Sequence, residues 1–187
     1  MRMMIPVALA ASLFAGTALA QSSGSARTTQ GDATTGQGRV SEQDVLFLRQ
    51  AVQSDLAEIA MAEVAEDKAK ATPVKQFAER MDEEHDSNLE KLQELAEAHD
   101  VDIPDDPDAQ QQQMLATLKE TPEQSFDRTY IQMQVQAHQK AIQLYRTQAQ
   151  GQGPVARFAG QQVPNLEAHL QEAQLVQQQM QPTAATR

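Results

Sequence analysis

The sequence predicts an all-α protein: a four-helix bundle with a short extra helix in the connection between its second and third long helices. No glycine occurs from Ser41 to Gln150, and a glycine inside a helix costs about 1 kcal/mol relative to alanine. From there to Val176, apolar residues recur at helical spacing. Aromatic residues make up only 4% of the 187-residue chain, whereas Ala, Leu and Gln abound. That composition suits helices better than sheet.

The elements follow in order. Residues 1–20 read as a secretory signal peptide. Arg2 is the positive start, Ile5 to Phe14 the apolar stretch, and Ala18-Leu19-Ala20 the cleavage site. The mature chain would begin at Gln21, where a lipid anchor would require Cys. Residues 21–40 are Gly, Ser, Thr and Gln with almost nothing to bury, a disordered linker. The bundle is expected over 41–181, followed by a disordered tail at 182–187.

The long helices are expected at 42–70, 73–99, 121–150 and 154–180. Ser41 caps the first ahead of an apolar run. Thr72-Pro73 and Thr121-Pro122 each place a capping residue before a proline, and Thr121-Pro122-Glu123-Gln124 has the capping-box pattern. Gly151-Gln152-Gly153-Pro154 is a stop followed by a start. The Asp100–Glu120 connection is Pro/Asp-rich at first and helix-forming after Ala109. Whether it reverses direction or crosses the bundle is open. Pro164 removes a backbone donor inside the fourth helix and is expected to kink it, chiefly to suit packing.

Each helix carries an apolar stripe. The first has an aliphatic row (Leu48, Val52, Ile59) beside a small-residue row (Ala51, Ala62, Ala65, Ala69). The second has Val74, Phe77, Met81, Leu89 and Leu92, the third Phe126, Tyr130, Met133 and Leu144, and the fourth Val155, Phe158, Leu166 and Val176.

Polar residues that interrupt these stripes are the informative ones. His85 lies within the arc of Met81, Leu89 and Leu92, with Glu84 at its edge. His138 is in line with Asp127 and Gln134, and His169 falls between Phe158 and Leu166. Glu58 sits in the small-residue row. Each is roughly 12–17 residues from its helix start, so all fall near the middle of helices about 40 Å long. A mid-height residue stays at mid-height whichever way its helix runs. The remaining histidine, His99, ends the second helix, where a partial positive charge suits the helix terminus.

Two readings compete for these residues. In the favoured one they form a buried hydrogen-bonded network that also takes in Asp127, Tyr130 and Gln134. In the other, Glu58, His85, His138 and His169, with Glu84, hold a transition metal, for which imidazole and carboxylate suit Fe, Zn, Cu or Mn. The full di-metal pattern of carboxylate bundles is absent, because Val135 and Leu166 stand where Glu would precede His138 and His169. There is no H-E-x-x-H, G-x-S-x-G or Gly-rich phosphate loop, so an enzymatic role is not favoured. With no Cys there is no disulfide, thiolate site or iron–sulfur cluster. A formal charge of -11 argues against binding nucleic acid non-specifically. No stretch after the signal is apolar enough to span a bilayer.

The runs Asp55–Ile59, Val74–Met81, Glu84–Asn88, Phe126–Tyr130, Ala137–Gln139 and Pro164–Leu170 resemble the bacterial domain-of-unknown-function family 4142 over about residues 43–177. The resemblance implies an exported protein with a ferritin-like bundle, and it places Glu58, His85, Asp127, Tyr130, His138 and His169 at family motif positions. The family's acidic pair before the first histidine is matched by Glu83-Glu84, while Asp82 stands where an apolar residue is usual. The family carries no established activity. Its frequent label of predicted outer-membrane protein finds no alternating barrel strands here. The expectation is a periplasmic, non-enzymatic binding, structural or stress-related protein with an unidentified protein partner; outer-membrane association comes from the label alone. The alternative is a ferritin-like metal-binding protein.

Overall fold

The computed structural model describes residues 40–181. The expected signal peptide (1–20), nearly all of the expected linker (21–40) and the tail (182–187) lie outside the described residues. Five helices form: α1 (Glu42–Lys68), α2 (Thr72–Glu97), α3 (Ala109–Glu120), α4 (Glu123–Gln148) and α5 (Gly153–Gln179). The described residues contain no strand, and none of the helices is long and apolar enough to cross a membrane.

The α1 cap forms as its sequence suggests. Ser41 Oγ accepts from the Asp44 N–H at 3.1 Å, and Asp44 Oδ2 accepts from the Ser41 N–H at 2.8 Å. The two Thr-Pro starts are corrected. Thr72 is already helical, Ala71 takes the cap position, and no side chain of the segment caps it. The Asp127 carboxylate of α4 takes over, accepting from the Lys70 N–H at 3.0 Å and the Ala71 N–H at 2.8 Å. Thr121 closes α3 instead of opening α4. Its hydroxyl is engaged by the Thr117 carbonyl at 2.8 Å, which leaves Pro122 at the α4 cap position with no side-chain bond. Gly153 begins α5 at φ 92°, a left-handed conformation that favours glycine. Pro164 is exposed, and α5 runs through it to Gln179.

Short turns make α1–α2 and α4–α5 antiparallel pairs, and across them α1 packs on α4 and α2 on α5. Asp127, early in α4, bonds the turn that ends α1, while Gln148, at the end of α4, bonds Asp44 at the start of α1. Hence α4 runs antiparallel to α1 and parallel to α2. The connection from α2 to α4 therefore crosses the length of the bundle. It passes along α1: Arg49 donates to the Asp102 carbonyl at 2.8 Å near one end, and Lys68 donates to the Lys119 carbonyl at 2.6 Å near the other. The short helix α3 seals it down with fully buried Leu118.

The core is divided in two. One apolar cluster includes Met61, Ala65, Phe77, Met81, Phe126, Tyr130 and Val176. The other includes Leu48, Val52, Leu89, Leu92, Ile142, Tyr145 and Leu166. Between them on each long helix lie the buried polar residues: Asp55 and Glu58, His85 and Asn88, Gln134 and His138, and His169. The apolar clusters hold the bundle together; the polar layer sits at its middle.

Asp127→Ala should lower stability by about 1–2 kcal/mol, the usual loss when a carboxylate cap is removed. Its distance along α4 from the histidines should leave their NMR signals unchanged. Urea unfolding followed by circular dichroism, with histidine-resolved spectra, tests both parts.

Candidate metal centre

His85, His138 and His169 come from α2, α4 and α5 and are 4%, 1% and 6% exposed. Their ring centroids form a nearly equilateral triangle with sides of 5.5, 5.5 and 5.3 Å. One nitrogen from each lies within 4.8 Å of the other two.

The outer nitrogen of each ring fixes its tautomer. His85 Nδ1 faces Asp55 Oδ1 at 2.8 Å, His138 Nδ1 faces the Gln134 main-chain carbonyl at 2.9 Å, and His169 Nε2 faces Glu84 Oε2 at 2.7 Å. Each partner is an acceptor, so each of these nitrogens carries the proton and donates it. The inner nitrogens are then His85 Nε2, His138 Nε2 and His169 Nδ1. His85 Nε2 is buried without a partner. His138 Nε2 and His169 Nδ1 stand 3.3 Å apart. With both outer nitrogens donating, neither neutral ring has a proton to put in that gap. A tetrahedral ion bonded at about 2.0–2.1 Å holds neighbouring nitrogens about 3.3–3.4 Å apart. One edge of the triangle already has that length.

The supports are themselves held. Asp55 Oδ2 accepts from Asn88 Nδ2 at 2.7 Å, and Asn88 Nδ2 also donates to the Tyr145 hydroxyl at 3.1 Å. Glu84 reaches His169 from the surface, its side chain 47% exposed.

The model of a family described as a domain of unknown function (DUF4142) matches residues 29–176. The chain belongs to the DUF4142 family. Among solved structures it is similar to a DUF305 fragment from Deinococcus radiodurans, with a TM-score of 0.69 and 14% identity, covering 76% of this chain and 99% of that one. At that identity the likeness concerns the fold. No curated protein matches.

Within this DUF4142 domain the sequence-derived residues separate. Among the described residues, the group able to hold a metal is the three histidines. Glu58, expected as a ligand, is outside it; it is buried, and its Oε2 accepts from Gln134 Nε2 at 2.6 Å. Glu84 meets the group through His169. Gln134 joins the layer twice, through its amide to Glu58 and its carbonyl to His138. Two expected network members do not reach the histidines. Asp127 bonds the α1–α2 turn. Tyr130 lies between Phe77 and Phe126, and its buried hydroxyl has no partner. Asp127 is in line with His138 on α4 and Tyr130 is a quarter-turn aside, but at 1.5 Å per residue they sit about 16 and 12 Å below it. Asp55, Asn88 and Tyr145 were missed. Asp55 had a signal: Leu48, Val52, Asp55 and Ile59 follow the four-three-four spacing of a buried stripe.

Burial, with the charges of His85 and His169, lowers His138 to about 3. Burial likewise lowers His169, against the pull of Glu84. Burial pushes His85 down as well, but its hydrogen bond to Asp55 and the charges of Asp55, Glu58 and Glu84 outweigh this, and it ends above its ordinary value. Burial raises Glu58. Burial thus favours neutral His138 and His169, while the carboxylates around His85 favour its charged form, whose second proton a metal ion would have to displace.

Unfolded His138 takes up a proton as pH falls through its ordinary value near 6.5, whereas folded His138 resists down to about 3. The unfolded chain therefore binds more protons in that window. The stability this residue contributes is present above 6.5 and is lost as pH falls toward 3. His85 has the opposite sign, contributing stability below its ordinary value that fades as pH rises through its raised one. In chelator, stability differences between the parent and His138→Leu, measured by urea unfolding at stepped pH, should change with a slope of up to about 1.4 kcal/mol per pH unit below 6.5. Parallel curves would rule out a buried neutral His138.

Proposed function

We propose that this DUF4142 domain is an exported, ferritin-like metal-binding protein, with one transition-metal ion held by His85 Nε2, His138 Nε2 and His169 Nδ1. The observation that carries this reading is the tautomer set. All three outer nitrogens face acceptors, and each buried ring keeps a second nitrogen inside the layer, where ligand atoms of the three rings lie within 4.8 Å of one another. A self-satisfying network would pair those inner nitrogens with donors. The outer bonds are the support that metal-bound histidines require, since they orient the ring and raise its basicity. The sequence's signal peptide supports export. The single crossover between α2 and α4 supports the ferritin-like assignment, because ferritin-like bundles have one long crossover.

Three neutral imidazoles without thiolate favour Cu2+ and Zn2+ over Mn2+, which prefers oxygen ligands. Three protein ligands also leave a tetrahedral ion one position short, unlike a closed structural site.

Elemental mass spectrometry of untagged protein, prepared without chelator and offered each ion, should find near-stoichiometric Cu or Zn. A folded His85→Ala/His138→Ala variant should hold none. Metal absent from both would overturn the reading and leave the histidines as a structural network. Asp55→Asn should weaken binding by about 10–100-fold, the usual effect of removing a carboxylate behind a ligating histidine. Competition titration against a chromophoric chelator measures it.

A further inference from the structure

A cleft between α2 and α5, with a volume of about 100 Å³, opens onto the histidine layer. His85 and His169 line it, with Asn88, Ser87, Lys91 and Asn165. It reaches the centre from the side opposite α3, which covers α1 and α4.

Asn88 adds a polar atom that the fold leaves unused. Its relative exposure is 9%. Its Nδ2 is fixed as the donor because it faces the Asp55 carboxylate at 2.7 Å. Its Oδ1 is therefore an acceptor, and it is buried without a partner. Asn88 follows His85 by one helical turn on the same face. His85 and Asn88 both line the cleft, and each keeps a buried polar atom without a partner beneath it, His85 Nε2 and Asn88 Oδ1.

Resting on the metal-binding reading above, we infer that the α2–α5 cleft gives the bound ion an exchangeable position for a small neutral hydroxylic ligand, water in the resting protein, whose O–H donates to Asn88 Oδ1. The charge balance favours a neutral occupant. Asp55 and Glu84, the carboxylates bonded to His85 and His169, offset a divalent ion. Glu58, buried in the same layer, is a third carboxylate acting on His85, so an anion would only add to the negative charge and would set its lone pairs against Asn88 Oδ1. Lys91 is exposed at the surface, where solvent screens it. The cleft volume suits ligands of a few heavy atoms.

The test uses the full mature chain loaded with Cu2+. The copper content is measured first, so failure to bind metal is registered against the metal-binding reading alone. With copper bound, the solvent-proton relaxation rate should carry an exchanging-water contribution. Ser87→Trp and Asn165→Trp, both at exposed positions of the cleft, should lose that contribution while retaining copper. Millimolar azide should leave the copper spectrum unchanged. Copper bound with no exchanging water, loss of neither contribution in the tryptophan variants, or displacement by azide below the millimolar range would each overturn the inference.

Discussion

The bundle is organised around one constraint, a layer of imidazoles with their carboxylate partners set at mid-height in an otherwise apolar interior. Such a layer is expensive. A buried polar atom left without a partner costs about 1–3 kcal/mol, and His85 Nε2, Asn88 Oδ1 and Gln134 Oε1 all lack one. An apolar layer of the same volume would serve stability better. The fold tolerates the cost because apolar clusters lie on both sides of the layer, one centred on Phe77, Met81 and Phe126, the other on Leu48, Leu92 and Tyr145. Stability is supplied there, and the middle is free to hold a geometry that stability alone would not select.

Much of this was legible in the sequence. Helical periodicity identified the four long helices, and counting from their caps placed His85, His138 and His169 at one level. Counting worked because height along a helix is a linear function of residue number, unaffected by direction. The same rule, applied more strictly, would have removed Asp127 and Tyr130 from the layer. They share a face with His138 but not its height. Asp55 was hidden for a different reason. A single acidic residue in an aliphatic stripe gains its meaning only from the imidazole that another helix brings to it.

Ser41 caps α1 as its local sequence suggests, but the other two expected caps and the crossover were beyond local reading. Thr72 and Thr121 match the local signature of helix starts, yet the first is displaced by Asp127 from α4 and the second is engaged by its own preceding turn. A tertiary carboxylate reaching two backbone donors replaces what one local hydroxyl would do. The direction of α4 likewise has no local signature. It is settled by contacts far apart in sequence, Asp127 at one end of α1 and Gln148 at the other.

That direction determines what the site is made of. The crossover sets the α4–α5 pair beside the α1–α2 pair, so α2 and α5 share one seam and α1 and α4 the other. His85 belongs to the first pair, His138 and His169 to the second. The carboxylates behind them come from the first pair only: Asp55 from α1 and Glu84 from α2, with Glu84 bonding across the seam to His169. No single helical hairpin contains all three rings together with all their supports. An ion bound by the three rings, as proposed, would join the two hairpins at their midpoint and would relieve the unpartnered His85 nitrogen that makes the layer costly. The open seam between α2 and α5 is where the two pairs meet around His85 and His169, so in the proposed reading the cleft that would admit a ligand lies at the same boundary that an ion would bridge.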